Sequence, residues 1–169
     1  FHMHPLALED VVHVYQRAKV ESYDEHVFVV LRIPDTSNEQ CTEQFSMFLG
    51  KNYVVTFQER PGDDFNLVRA GLRHEHSVTR QGVRPDYLAY RLIDASIDAY
   101  FPVLETVGDH LDELDDPDDL RNTQKGFAEL HAVRRELLML RRAIWPLRDA
   151  LSELRSETTP LISDTTRLY

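Results

Sequence analysis

The sequence predicts an α/β (α+β) fold, with a small α/β sheet subdomain over residues 1–82 and a long antiparallel helical hairpin over residues 83–157. Before residue 83, short runs rich in Val, Phe and Tyr alternate with turn residues, which is typical of strands. After residue 83, apolar residues recur every three or four positions, which is the period of an amphipathic helix. The segment DDPDD at 115–119 interrupts this period and predicts the turn of the hairpin.

The α/β half begins with a predicted short helix over 4–13, with Pro5 in its first turn. Three apolar runs then predict strands, at 27–33, 43–50 and 52–59. The sequence GKN at 50–52 predicts a tight hairpin turn between the last two strands. A helical period returns over 63–76, where Asp63 is suited to cap the helix.

Each helix of the predicted hairpin is about 30 residues long or more, which corresponds to roughly 45–50 Å. Pro102 and Pro146 lie inside the helical pattern. Because proline lacks a backbone N–H, we expect each of them to kink its helix or to break the hydrogen bonding locally.

Composition excludes several classes of protein. The 169 residues carry a formal net charge of −10, which argues against a nucleic-acid-binding surface. The single cysteine, Cys41, cannot form an internal disulfide, so we expect a reducing, intracellular compartment. No apolar run reaches the ~18–20 residues of a membrane span, and the start resembles no signal peptide. Because the chain opens without Met and stops inside a helix-starting pattern, we expect a fragment of a longer protein.

Charge is distributed unevenly over the hairpin. Residues 86–119 hold eleven acids and one base, whereas residues 121–155 hold eight bases and four acids. The simplest interpretation is a solvated hairpin with ion pairs between its helices. The acids near the tip, which include Asp112, Asp115 and Asp116, would also attract divalent cations loosely.

The sequence contains no signature of catalysis, so we expect a protein that is not an enzyme. It has no G-x-S-x-G, no GxGxxG and no phosphate loop. The HEH at 74–76 lacks the HExxH spacing that places two imidazoles on one helical face. The segment DELDDPDDL lacks the central Gly and terminal Glu of a calcium loop.

Two pairs of carboxylates are candidate metal ligands. Asp94 and Asp98 lie one helical turn apart, where like charges repel by roughly 0.2–0.5 kcal/mol. Glu9 and Asp10 end a short apolar segment. Hard oxygen ligands of this kind suit Mg²⁺ or Ca²⁺, and Mg²⁺ typically takes only one or two carboxylates. The alternative is that Asp94 and Asp98 face water or pair with Arg91 and a neighbour.

Several strings resemble the cytosolic domain of the CorA-type magnesium transporters. They are HPLALEDVV with QRAKVESYDEHVFVVLR, then EQFSMFLGKNYVVTFQE, PDYLAYRLIDASIDAYFPVLE and LRRAIWPLRDAL. The resemblance covers nearly the whole chain in order. It implies a partial α/β/α sandwich whose opening strands lie ahead of Phe1. It also implies that residues 158–169 start a stalk helix, which leads to transmembrane helices outside this chain.

The resemblance further implies a homopentameric channel at the cytoplasmic face of the inner (plasma) membrane, of which this fragment is a soluble part. Its cytosolic funnel binds Mg²⁺ between protomers and keeps the pore closed. By position, Glu9 and Asp10 match the acidic pair of one subunit, and Asp94 matches a helix aspartate of the second site. Asp98 is a weaker electrostatic candidate. Co²⁺, Ca²⁺ or Zn²⁺ are further possible ions, since a zinc-transporting branch shares the architecture.

Two other classes of function compete with this hypothesis. The first is a soluble interaction module in which a charged helical hairpin binds a partner protein. The second is a metal-dependent phosphoryl hydrolase that uses Glu9, Asp94 and Asp98. The hydrolase would need a phosphate-binding nest or clustered His or Lys residues, and the sequence contains neither.

Overall fold

The computed structural model describes residues 1–35, 42–61, 65–78, 83–114, 123–156 and 159–169. Four strands form one antiparallel sheet in the order β1-β2-β3-β4: β1 (Lys19–Ser22), β2 (His26–Pro34), β3 (Thr42–Gly50) and β4 (Tyr53–Gln58). The helices are α1 (Pro5–Val12), α2 (Asn66–Val78), α3 (Pro85–Asp98), α4 (Tyr100–Leu114), α5 (Thr123–Ser156) and α6 (Asp164–Arg167).

The two central strands are buried along almost their whole length on both faces. Their register pairs Phe28 with Phe48 and Val29 with Met47. Because successive side chains of a strand point to opposite faces, the first pair lies on one face of the sheet and the second on the other. Both faces are apolar and therefore need a covering layer.

Helices cover both faces. On one face, Ala7 of α1 packs against Phe28, Val30 and Phe48. On the other face, Val29, Leu31, Met47 and neighbouring strand residues form a larger core with α3, α4 and α5. This three-layer arrangement, with a small antiparallel sheet in the middle, confirms the predicted partial α/β/α sandwich.

The predicted turn at GKN joins β3 to β4. Gly50 pairs with Tyr53 across the hairpin, so only Lys51 and Asn52 lie in the loop. The Tyr53 ring covers Gly50 so closely that a Cβ atom there would lie 2.3 Å from Tyr53 Cε1. A larger residue at position 50 would therefore force the Tyr53 ring to move.

The predicted first long helix is two helices. The α3 helix ends at Asp98 and α4 begins at Tyr100, so Ala99 marks a break three residues before Pro102. Proline has no N–H to donate to the carbonyl of Asp98, and the break falls where that hydrogen bond is lost. The Tyr100 hydroxyl donates to the Arg32 carbonyl at 2.8 Å and attaches the start of α4 to β2.

The second predicted helix is continuous. The α5 helix runs for 34 residues with Pro146 inside it. Val103 and Val107 of α4 share a core with Val133 and Leu140 of α5, and α5 continues to the edge strand β1. The predicted turn at 115–119, the cap residue Asp63 and Cys41 all lie outside the described residues.

The short strand β1 was not predicted from the sequence, whereas the interruption at Ala99 agrees with the local break expected from Pro102. The division at residues 82 and 157 stays a prediction, as does the stalk helix, of which the structure contains the four-residue α6. Among the described residues, no helix combines the length and the apolar character needed to cross a bilayer.

A buried histidine lies in the smaller core. His26 is 2% exposed, and neither ring nitrogen has a hydrogen-bond partner. Its ring stacks on Tyr23 at 5.0 Å and contacts Phe48 at 5.3 Å between centroids. Burial lowers the pKa of His26, and the nearby His4 lowers it further, while Glu25 opposes the shift. The folded chain therefore favours the neutral imidazole.

We expect His26 to make the stability of the chain dependent on pH. Because folding lowers the pKa of His26, the neutral imidazole makes its full contribution to the free energy of unfolding above the unfolded pKa of about 6.5. This contribution is lost as the pH falls towards the folded-state pKa, by at most about 1.4 kcal/mol per pH unit. Urea unfolding between about pH 7.5 and 5.5 would measure this loss, and His26→Phe should reduce it. The exposed His110→Gln is the control. An unchanged pH dependence in His26→Phe would contradict the assignment.

Candidate metal-binding site

The first pair of predicted ligands lies at the end of α1. This helix starts after His4, whose Nδ1 accepts the Leu6 N–H at 3.3 Å. The Asp10 carboxylate accepts hydrogen bonds from Gln16 Nε2 at 2.8 Å and from Lys19 Nζ at 2.6 Å. The charge of Asp10 is therefore already balanced by a residue of the edge strand β1.

Lys19 serves two carboxylates. Its Nζ also donates to Glu21 Oε1 at 2.6 Å. Although burial lowers the pKa of Lys19, its hydrogen bonds to Asp10 and Glu21 raise that pKa above its usual value overall. A cation that binds to Asp10 must compete with this ammonium group. Glu9 is exposed, and its carboxylate has no hydrogen bond or ion pair to another described residue.

Asp94 lies on the opposite side of the molecule from α1. It is half-buried at the edge of a cavity of about 250 Å³ between α3, α5 and the C-terminal segment. No described residue forms a hydrogen bond or an ion pair with its carboxylate. Burial raises the pKa of the neighbouring Tyr90, and the charge of Asp94 raises it further. Asp94 is thus a half-buried carboxylate with no ion-pair partner among the described residues, although Arg155 and Arg167 line the same cavity.

Two of the four weaker candidates lie among the described residues. Asp98, one turn beyond Asp94, is exposed, and Asp112 is exposed on α4. Asp115 and Asp116 lie outside the described residues. In the described ranges of the chain, no group of three or more His, Cys, Asp or Glu side chains is placed to hold a metal ion.

The sheet separates the two main candidate sites. The α1 helix, with Glu9 and Asp10, packs on the face of Phe28 and Phe48. The α3 helix, with Asp94, packs on the face formed by Val29 and its neighbours. One chain therefore places Glu9 and Asp10 on the opposite side of the sheet from Asp94, and a cation coordinated by both sets of residues would need two chains.

The ion pairs expected between the hairpin helices are not found in the described region. No ion pair joins a described side chain of α4 to one of α5. Glu105, Asp109, Asp112 and Glu113 are exposed instead on α4. The described part of the hairpin is held by apolar contacts, and these four acids face outward.

Sequence analysis missed a buried carboxylate that attaches the C-terminal segment to α3. Asp86 is 5% exposed, and its Oδ2 accepts the Ser163 N–H at 3.0 Å, the Ser163 hydroxyl at 2.8 Å and the Thr166 hydroxyl at 2.9 Å. Arg84 forms an ion pair with the same group. Its only signal in the sequence is an acid that follows Pro85 in the first turn of a helix.

The other contacts of the C-terminal segment place it beside Asp94. Tyr169 stacks on Tyr90 at 5.0 Å between centroids. Arg167 donates to the carbonyls of Thr159 at 2.9 Å and Arg155 at 3.3 Å. The segment therefore forms one wall of the cavity that Asp94 lines.

Asp86→Asn should loosen the C-terminal segment. Burial alone would raise the pKa of Asp86, but the hydrogen bonds and charge of Arg84, Ser163 and Thr166 hold it far below its usual value. We expect a stability loss of roughly 1–3 kcal/mol and faster amide hydrogen exchange at Ser163. Exposed Asp98→Asn on the same helix should change stability by less than about 0.5 kcal/mol. Equal exchange at Ser163 in the two variants would show that Asp86 does not hold the segment.

Comparisons with known proteins agree with this architecture. The model of the family described as "CorA-like Mg2+ transporter protein" matches residues 1–169. The cobalt/magnesium transport protein CorA of Thermotoga maritima is 41% identical over 141 residues, which are 82% of this chain and 40% of that protein. A putative metal ion transporter of Bacillus subtilis is 32% identical over 138 residues, or 82% of this chain and 42% of that protein.

Solved structures show the same fold at low sequence identity. The CorA magnesium transporter of Methanocaldococcus jannaschii aligns with a TM-score of 0.73 at 16% identity, over 98% of this chain and 52% of that one. The cytoplasmic domain of ZntB from Vibrio parahaemolyticus aligns with a TM-score of 0.71 at 14% identity, over 95% of this chain and 63% of that one. The chain spans about two fifths of the length of the first two relatives. With its full length matched by the family model, the chain belongs to the CorA-like Mg²⁺ transporter family.

Proposed function

We propose that this chain is the cytosolic Mg²⁺-sensing part of a CorA-type channel, and that divalent cations bound between neighbouring chains stabilise the closed pore. The separation of the candidate ligands carries the proposal. Glu9 and Asp10 lie on one side of the sheet and Asp94 on the other, so each chain offers one half-site to each of two neighbours. Because Mg²⁺ keeps most of its waters and takes one or two carboxylates, two half-sites suffice to bind it.

This placement of ligands favours a ring. When one face of a subunit meets a different face of the next, the interface is heterologous, and repetition closes a ring if the rotation permits. The family resemblance implies that the ring contains five identical chains. In the closed ring, the unpaired charge of Asp94 would acquire its counter-charge from the shared cation.

Loss of the cation would open the ring by repulsion. Without Mg²⁺, carboxylates of adjacent chains face each other across the interface, and like charges at short distance repel. At a concentration equal to the Kd, each site stabilises the closed state by only about 0.4 kcal/mol. Several sites around a ring would together supply on the order of 2–4 kcal/mol, which shifts a balanced equilibrium between two states. Weak sites therefore suit a sensor.

The three segments have separate roles in this proposal. The α/β subdomain of residues 1–82 carries Glu9 and Asp10, and the hairpin of residues 83–157 carries Asp94. Residues 158–169 would lead into a stalk helix and from there to membrane helices, with the domain on the cytoplasmic face of the inner (plasma) membrane. The attachment of this last segment beside Asp94 would transmit the state of the cation site to the stalk.

The cation in this proposal is Mg²⁺, with Co²⁺ as a second ion. The relative from Thermotoga maritima is named a cobalt/magnesium transport protein. The candidate ligands are carboxylates alone, which suit Mg²⁺ better than Zn²⁺, since zinc sites usually include Cys or His. The fold itself does not separate the magnesium and zinc branches, because CorA and ZntB structures align about equally well.

An interaction module remains the second candidate function, supported by the exposed charges of α4 and by the lack of ion pairs across the described part of the hairpin. In such a module, the acids serve solubility and partner binding. It predicts that Mg²⁺ acts only as any salt of equal ionic strength does.

Asp94→Ala should reduce inhibition of transport by Mg²⁺ on the cytosolic side. The assay is ion uptake by a transporter that carries this chain between its flanking segments, reconstituted in liposomes. Loss of a ligand should raise the inhibitory concentration at least about tenfold. Asp10→Ala should also raise the inhibitory concentration of Mg²⁺.

The control for both variants is Asp109→Ala, an exposed acid of α4 that removes the same charge. Its inhibitory concentration should equal that of the wild type. If Asp94→Ala and Asp10→Ala both keep wild-type inhibition by Mg²⁺, the proposed sensor role is wrong.

Lys19→Gln separates a ligand role of Asp10 from a purely structural one. Without its ammonium partner, the Asp10 carboxylate no longer has to be displaced before it binds Mg²⁺. The same assay should therefore show inhibition at a Mg²⁺ concentration lower by a factor of about three or more. Inhibition that weakens instead would mean that the ion pair, and not a cation at Asp10, stabilises the closed state.

A further inference from the structure

A second site candidate is a cleft between the start of β1 and one face of α5. It encloses about 740 Å³, which is within the usual range of small-molecule sites. Arg17, Ala18 and Lys19 form one wall of the cleft. The other wall is formed by α5 residues that recur at three- and four-residue spacing: Leu138, Arg141, Arg142, Trp145, Pro146, Asp149, Ala150 and Glu153. None of the candidate Mg²⁺ ligands lines this cleft.

One end of the cleft is strongly basic. Arg141 and Arg142 are exposed, and neither forms an ion pair or hydrogen bond with a described residue. Arg17, on the facing wall, is also exposed and has no ion pair with a described residue. Among the described residues, none of these three guanidinium groups has a carboxylate ion-pair partner. Arginine binds phosphate through two parallel hydrogen bonds, so this end is suited to a phosphate group.

The middle of the cleft is aromatic. Trp145, the only tryptophan of the chain, is 57% exposed. The Arg141 guanidinium carbon lies 5.3 Å from the centre of the Trp145 ring. An exposed indole beside an arginine is a surface on which a planar nucleobase can stack.

The other end of the cleft is acidic. Asp149 and Glu153 lie one turn apart on α5 and line the same cleft. Their carboxylates would repel a bare polyanion that extended along the cleft, and also an anionic bilayer surface. They would accept hydrogen bonds from hydroxyl or amino groups, which a nucleoside carries.

We propose that this cleft binds a nucleoside triphosphate. Its phosphates lie at Arg141 and Arg142, its sugar follows, its base stacks on Trp145, and an amino group on the far edge of the base reaches Asp149 and Glu153. The order of chemistry along α5, basic, then aromatic, then acidic, corresponds to the order of phosphates, base ring and base amino group in such a ligand. This inference does not depend on the Mg²⁺-sensing proposal, because none of the residues assigned to the nucleotide is a candidate Mg²⁺ ligand.

The test is a titration of the 169-residue chain with ATP, followed by the fluorescence of Trp145. Binding should quench or shift the emission of this single tryptophan to saturation. Arg141→Gln/Arg142→Gln should weaken ATP binding at least about tenfold. The matched control is Arg134→Gln/Arg135→Gln, an exposed arginine pair seven residues earlier on α5, which should change affinity less than about twofold. Equal losses in the two variants, or no binding of ATP by the wild type, would overturn the proposal.

Calorimetry with inorganic tripolyphosphate tests whether the base contributes. ATP should bind the wild type more tightly than tripolyphosphate, and Trp145→Leu should abolish that difference while tripolyphosphate binding is unchanged. Equal affinity of the wild type for both anions would mean a polyanion patch and would overturn the nucleotide assignment. Retention of the chain on phosphatidylglycerol vesicles without competition by ATP would assign the arginines to a membrane surface and would also overturn it.

Discussion

The burial of the β2–β3 strand pair on both faces is the constraint on which the rest of the structure depends. Phe28 and Phe48 lie with ring centroids 4.6 Å apart on one face, and Val29 and Met47 pack on the other. Each such side chain contributes about 1.5–3 kcal/mol when it is fully buried, so neither face can be left to water. An eight-residue helix is marginal by itself, and α1 is stable because it covers Phe28 and Phe48.

The same constraint determines where the carboxylates lie. A sheet with two apolar faces needs a helical layer on each face, and α1 and α3 lie in the two opposite layers. Glu9 and Asp94 are consequently separated by the thickness of the sandwich. A metal site within one chain would require both groups on one side.

Local patterns in the sequence predicted the parts of the fold that depend on interactions between neighbouring residues. The apolar run at 27–33 and the glycine at position 50 each predict their structure from a few neighbouring residues. The strand β1 escaped notice because three of its four residues, KVES, are polar and their pairing partners lie in β2. The Asp86 attachment joins residues 77 to 80 positions apart, which no periodicity records. The candidate ligands came from the pairing of carboxylates along the chain and from a family resemblance, whereas their separation by the sheet followed only from the packed layers.

The outward charges of the hairpin follow from how its helices are held together. Val103 and Val107 pack with Val133 and Leu140, so the contact between α4 and α5 is apolar and needs no ion pairs. Acids on α4 and arginines on α5 then stay in solvent, where like-charge repulsion within a helix costs only a few tenths of a kcal/mol per pair. If the acids of α4 were paired with the arginines of α5, the surfaces of both helices would be close to neutral. Here each surface keeps its sign, so each can attract an external partner of opposite charge.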